Sequence, residues 1–189
     1  EDTHWPHADM VGEKKTAWPT LTGRQQFFID HPWYAEAGEQ MPIHKDPPHA
    51  TSKLPLRING GHNRWSIHAI WRDHKLLLRL QRGVPACFMN PQDCVSRGIE
   101  DGDTVKVFND HGDFEAMVKV ANATAPGEVI IYHAWEPYQF KDWKGQQEPV
   151  EAPWKALHLA GGYAQIHYRM YYSSPSHAPR GAPCDVKKV

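Results

Sequence analysis

The stretch from Gly60 to Asp73 reads GGHNRWSIHAIWRD, two glycines followed by a dense run of hydrogen-bonding side chains. Glycine lets a backbone approach a ligand closely, and exposed N–H groups at such a turn attract anions. Arg64 and Ser66 add donors, and a helix starting beside them would add its dipole. Two readings fit Gly60-Gly61: an ordinary turn, or a cradle for a pyrophosphate. Neither G-x-G-x-x-G nor P-loop spacing is present.

The chain holds 13 His in 189 residues. His62, His68 and His74 recur every six residues, a spacing of about 240° on a helix. They would share no face, so a metal site made from them is not expected. Hydrogen bonding by neutral imidazole to a polar heterocycle suits them better. Asn109 and Asp110 fall at a hairpin tip, where such residues favour turns whatever the function. An Asp carboxylate there also suits the N–H edge of a guanine. His133, Trp135 and Glu136 close a strand, a usual place for binding residues and equally for an aromatic anchor of the next loop. No Ser-His-Asp set has recognisable local context.

These residues need elements to position them. Leu54, Leu56 and Ile58 alternate as a strand that breaks at Gly60-Gly61. From Ser66 to Arg82 the spacing of Ile67, Ile70, Trp71, Leu76, Leu77 and Leu80 predicts a helix. Ala86 to Met89 reads as a short buried strand. Asn90 can cap a single-turn helix with Pro91 at its first position and Gly98 at its end. Val105 and Val107 mark one strand. Phe114, Ala116, Val118 and Val120 mark the next, across a turn at His111-Gly112. Pro126-Gly127 then leads into a β-branched strand ending at His133. Strands with two helical insertions suggest a closed barrel rather than a doubly wound sheet.

Outside this centre, residues 1–53 read as an extended arm rich in Pro and His, with one embedded strand at Gly23 to Asp30. Residues 54–172 form the compact part, with one more strand within the segment from Leu159 to Tyr172, and 173–189 form an extended tail.

Composition narrows the class. The formal net charge of −1 offers no basic excess for nucleic acid. Gly (14) and Pro (16) favour long loops, and eight Trp suit surfaces that bury something large and partly polar. Cys87, Cys94 and Cys184 form no C-x-x-C pair, no disulfide framework and no cluster ligand set, and read as small buried apolar residues. No apolar run is long enough to insert in a membrane, and no signal peptide is visible. The chain starts at Glu1 without Met and reads as a piece of a longer polypeptide.

Gly60 to Asp73, with NPQDCVSRGIEDGDTVKVFNDHGDFEAMVKV and APGEVIIYHAWE, resembles the C-terminal molybdopterin-dinucleotide-binding domain of dimethyl sulfoxide reductase superfamily catalytic subunits. RWSIH, YHAWEPYQF and HLAGGYAQIHYRMYY resemble the nitrate reductase-like branch, with ethylbenzene dehydrogenase and the selenate, chlorate and dimethyl sulfide enzymes as the nearest named relatives.

The resemblance implies a mainly β fold with short helices: a six-stranded double-psi β-barrel with extended N- and C-terminal arms. It implies bis(molybdopterin guanine dinucleotide) with molybdenum. Gly61, His62, Asn63, Arg64, Ser66, Ile67 and His68 match the dinucleotide-contacting loop. Asn109 and Asp110 match the hairpin facing the cofactor. His133, Trp135 and Glu136 match the strand end near a pterin, and Tyr163 and Gln165 a late segment returning to one.

The branch's molybdenum-ligating Asp and its His/Cys cluster ligands have no counterpart here, so no catalytic residue and no metal ligand is assigned. Iron–sulfur clusters are expected only elsewhere in the complex, and this chain alone is expected to be inactive. The whole enzyme would hydroxylate a hydrocarbon or transfer an oxygen atom. The implied partners are the rest of the catalytic subunit, an iron–sulfur electron-transfer subunit and a haem b subunit, in the periplasm. The alternatives are a separately encoded, non-catalytic barrel subunit of a molybdenum or tungsten enzyme, or part of a nitrate, selenate or chlorate reductase. A non-enzymatic His-rich metal binder is the third reading, which the spacing disfavours.

Overall fold

The computed structural model describes residues 7–12, 14–29, 31–44, 52–66, 68–150 and 181–189. The chain divides into two compact units, Glu1–Asp46 with Lys155–Ser173 and Pro47–Trp154 with Ser174–Val189. In the first, α1 (Ala8–Val11) and α2 (Pro32–Glu36) are single turns.

The strand expected at Gly23 to Asp30 is absent among the described residues of that segment. Phe27, Phe28 and Ile29 are consecutive rather than alternating and all exposed, so no face is available to bury. The chain instead turns at Gly23 (φ 68), with the Trp18 N–H donating to the Gly23 carbonyl at 3.0 Å.

The second unit is a closed barrel of six strands: β1 (Leu56–Gly61), β2 (Ala86–Met89), β3 (Thr104–Phe108), β4 (Asp113–Val120), β5 (Glu128–Tyr132) and β6 (Ala182–Lys188). Their order is β1-β5-β2-β4-β3-β6, closed by β6 against β1. The β1/β5 and β2/β4 pairs are parallel and the others antiparallel. Alternation sets what faces inward: Ile58, Met89, Val105, Val107, Phe114, Val118, Val129 and Val186 are all buried in one core. Each such side chain contributes about 1.5–3 kcal/mol by leaving water.

Short helices punctuate the barrel: α3 (Lys75–Leu80) and α4 (Pro91–Val95). Asn90 caps α4 by accepting from the Gln92 N–H at 2.9 Å, and its amide donates to the Thr124 carbonyl at 2.8 Å. Arg97 after α4 grips Asp185 of β6 at 2.9 Å, tying the last strand to the barrel.

Four expectations are corrected. β1 does not break at the glycine pair, because parallel pairing with β5 carries it through Gly61, opposite Tyr132. The helix from Ser66 to Arg82 reduces to α3, because His68 (φ 50) and Trp71 (φ 71) take left-handed backbone that no α-helix accepts. The β-branched strand ends at Tyr132 rather than His133. The supposed tail supplies β6. The strand expected between Leu159 and Tyr172 lies outside the described residues.

Candidate functional site

Parallel pairing of β1 and β5 ends both strands side by side, and the His133 N–H donates to the Gly61 carbonyl at 3.0 Å. The two chains then diverge into loops carrying His62 and His133, which thereby meet. Nε2 of His133 lies 3.1 Å from Nδ1 of His62, one ring donating and the other accepting. His68 stacks on His133 with ring centres 5.1 Å apart, and His62 is 5.9 Å from His68. The six-residue spacing that keeps His62 and His68 apart on a helix brings them together here, because the segment between them is not helical. His74 stays outside this group, preceding α3 and meeting Trp71 edge-on. Among the described residues, no group of three or more His, Cys, Asp or Glu is arranged to hold a metal ion.

Below the histidines lies a hollow of about 540 Å³ of empty space, open solvent included. Its walls come from Ile58, Gly60 and Gly61 of β1, from His62, Ile131 and His133, and from Gln146, Gln147 and Val150. A Cβ at Gly60 would meet nothing within 4 Å, so its backbone is open to an approaching group. A Cβ at Gly61 would lie 2.8 Å from the Tyr132 ring, so only glycine fits there. Nδ1 of His133 and Oε1 of Gln146 are among the buried polar atoms that have no hydrogen-bond partner among the described residues, as is Nε of Arg72. Leaving such a group unpaired costs about 1–3 kcal/mol. His133 and Gln146 both line this hollow, which marks it as a place for a polar ligand.

A second network fixes His133. Arg72 is 1% exposed, and its guanidinium lies 4.0 Å over the Trp135 ring. Nη2 donates to the His133 carbonyl at 2.6 Å, and Nη1 donates to Oε1 of Gln81. Gln139 returns a bond to the Arg72 carbonyl at 3.0 Å. Burial pushes the Arg72 pKa down from its ordinary value. Ala134 (φ 72) and His68 (φ 50) both sit in left-handed backbone, at a cost of about 1–2 kcal/mol each. Strain of this kind persists where surrounding contacts enforce it, and it concentrates at functional sites.

Residues 56–150 match the family described as molydopterin dinucleotide binding domain. The chain belongs to that family, within the dimethyl sulfoxide reductase superfamily. It is similar to the respiratory nitrate reductase subunit alpha of Haloferax mediterranei, 46% identical over 100% of this chain and 20% of that protein. The perchlorate reductase subunit alpha of Dechloromonas aromatica is 37% identical over 97% of this chain and 20% of that protein. For the dimethylsulfide dehydrogenase subunit alpha of Rhodovulum sulfidophilum the identity is 33%, over 93% and 19%. The chain thus spans about a fifth of the length of these relatives. Acetylene hydratase from Pelobacter acetylenicus shares the fold, with a TM-score of 0.68 over 96% of this chain and 25% of that one, at 15% identity.

In this molydopterin dinucleotide binding domain, the expected contact residues separate. Gly61, His62 and His133 line the hollow, and His68 stacks beside it. Asn63 is taken up locally, accepting from the Trp65 N–H at 2.9 Å and donating to Gln81 at 2.9 Å. Arg64 lies 4.9 Å over the Trp65 ring, and Ser66 is half-buried. Trp135 is buried beneath Arg72, and Glu136 opens on a separate hollow with Ile70, Trp71 and Tyr138.

Asn109 and Asp110 do not line the cavity. Asp110 is exposed, while the Asn109 amide donates to the Pro149 and Pro183 carbonyls at 2.7 and 3.0 Å. Ile67, Tyr163 and Gln165 lie outside the described residues. Sequence reasoning missed Arg72, Gln81 and Gln146. Arg72 and Gln146 stand in polar or aromatic runs with no period to betray their burial, and Gln81 caps the leucine-rich α3 as an ordinary polar end residue would.

Proposed function

We propose that the hollow between β1 and β5 holds part of a molybdopterin guanine dinucleotide in a molybdenum oxidoreductase alpha subunit, of which this domain is the C-terminal portion. The observation that carries this reading is the buried, unpartnered Nδ1 of His133 beside the open backbone of Gly60. The residues fit such a group: glycine backbone for close approach, imidazoles and an amide for a polar heterocycle, and a buried guanidinium that keeps His133 in place.

When bound, the molybdenum cofactor supplies the redox and oxygen-atom chemistry, and the protein supplies binding and orientation. His62 and His133 share one hydrogen bond, so a proton held between them fixes which ring nitrogen is offered to the ligand. Ile58, Ile131 and Val150 exclude water from the floor of the site.

Oxygen-atom transfer from an oxyanion is the reaction class favoured here over hydrocarbon hydroxylation, since relatives at 46% and 37% identity are named for nitrate and perchlorate. Those relatives carry this region as a fifth of one longer chain, which supports a catalytic-subunit portion over a separately encoded barrel subunit. An iron–sulfur electron-transfer subunit, a haem b subunit and a periplasmic setting complete the proposal. The test is the molybdenum and pterin content of the complete alpha subunit carrying His133→Ala or His62→Ala. The proposal requires a loss of cofactor per polypeptide. Wild-type content in both variants would remove its basis.

A further inference from the structure

The loop after β5 ends in a segment that the barrel holds firmly. The Asn109 amide donates to the Pro149 carbonyl at 2.7 Å, and Pro149 is fully buried. Gly112 comes so close that a Cβ there would lie 2.8 Å from the Glu148 carbonyl oxygen. The Glu148 N–H donates to the Gly145 carbonyl at 3.1 Å and the Val150 N–H to the Gln147 carbonyl at 3.0 Å. The conformation of Gln146 is therefore set by its neighbours. It is 8% exposed, it lines the hollow of Gly60, His62 and His133, and its Oε1 is buried without a hydrogen-bond partner among the described residues. A buried amide oxygen without a partner is an acceptor waiting for a donor, because its desolvation is uncompensated until one arrives.

We propose that Gln146 is a binding residue that accepts a hydrogen bond from an N–H of the bound heterocycle, and so selects the heterocyclic rather than the diphosphate part of the ligand for this hollow. This rests on the cofactor reading of the site and deepens it. A diphosphate carries only acceptor oxygens and would meet Oε1 lone pair to lone pair. A pterin and a guanine both present N–H donors, and either satisfies the same acceptor. The hairpin bearing Asn109 thus acts on the ligand at one remove, by holding the loop that carries Gln146.

The experiment uses the complete alpha subunit, prepared with its cofactor and from cells unable to make it, with Gln146→Leu, Gln146→Glu and His133→Ala. Gln146→Leu removes an unsatisfied group from the empty protein and a partner from the loaded one. Its melting temperature should hold or rise without cofactor and fall with cofactor, while retained pterin and molybdenum drop about five- to a hundredfold. Gln146→Glu keeps an acceptor and should retain more cofactor than Gln146→Leu.

Equal losses of melting temperature in both forms, with normal cofactor content, would show that Gln146 is structural and overturn the inference. A Gln146→Glu variant that binds worse than Gln146→Leu would also overturn it, since that is the response of a site facing phosphate. If His133→Ala lowers cofactor content and Gln146→Leu does not, the inference alone fails. If neither does, the cofactor reading itself fails. Melting of the empty protein with GDP separates the two sources: GDP stabilisation that Gln146→Leu abolishes assigns guanine, and stabilisation that it leaves unchanged assigns pterin.

Discussion

Arg72 holds His133 by its main chain, with Nη2 of the guanidinium 2.6 Å from the His133 carbonyl oxygen and 61 positions between them in sequence. The same guanidinium rests on Trp135, so one side chain fixes both the start and the middle of the loop leaving β5. Arg72→Met keeps the reach and removes the donors. It leaves the His133 carbonyl unpaired, at about 1–3 kcal/mol, while Gln81 Oε1 keeps only its bond from the Asn63 amide. Arg72→Lys keeps a charge without the planar fork and should recover only part of that loss. Denaturant unfolding of the two variants checks the order, and equal stability of Arg72→Met and wild type would contradict it.

Adjacent glycines should respond differently to the same methyl. Gly61→Ala pushes a Cβ to 2.8 Å from the Tyr132 ring and should destabilise the fold by about 1–3 kcal/mol. Gly60→Ala points into open space and should fold within about 0.5 kcal/mol of wild type. In the complete enzyme, however, Gly60→Ala should retain less cofactor, because the methyl occupies ligand space. Melting temperature and cofactor content measured together separate the two effects.

Much of this architecture is visible in the residues. The strands at Ala86 to Met89, Val105 to Val107 and Phe114 to Val118 declare themselves by alternation, and Asn90-Pro91 declares the start of α4 by its capping chemistry. What brings His62 to His133 is not local. It is the parallel register that sets Gly61 opposite Tyr132, and no pattern within either segment encodes a partner so far away. Pro183 hid β6, because proline argues against a strand unless its missing N–H falls where no ladder bond is needed. Arg72 and Gln146 read as solvated polar residues, since burial of one charge or one amide leaves no periodic trace.

The three thiols should be inert in the folded chain. Cys87, Cys94 and Cys184 are buried, and burial pushes the pKa of Cys87 and of Cys184 up to about 12. Only the thiolate reacts, so a disulfide reagent at pH 8 should modify none of them until denaturant is added, and then all three. Rapid modification of the folded protein would contradict the packing around β2 and β6.

Acid should loosen the barrel through two carboxylates. The Lys119 ammonium hydrogen bond, then the Val120 N–H, holds Asp101 below the usual carboxylate range. For Asp103 the donors are Lys188 and then the Glu100 N–H. A depressed folded-state pKa stabilises above the unfolded value of about 3.9, and that stability is lost as pH falls through the lowered value. The melting temperature of Asp101→Asn and Asp103→Asn should be lower near neutrality and should fall less steeply as the pH drops below the ordinary carboxylate value of about 3.9. A parallel acid limb in mutant and wild type would contradict this assignment.

The central claim is that the hollow beside Gly60, His62 and His133 receives the cofactor. A structure of the complete alpha subunit with its cofactor bound tests it most directly. The account predicts cofactor atoms within hydrogen-bond distance of a His62 or His133 ring nitrogen and of Oε1 of Gln146, with the Gly60 backbone in contact. Cofactor density elsewhere, with Nδ1 of His133 and Oε1 of Gln146 still unpaired, would contradict it.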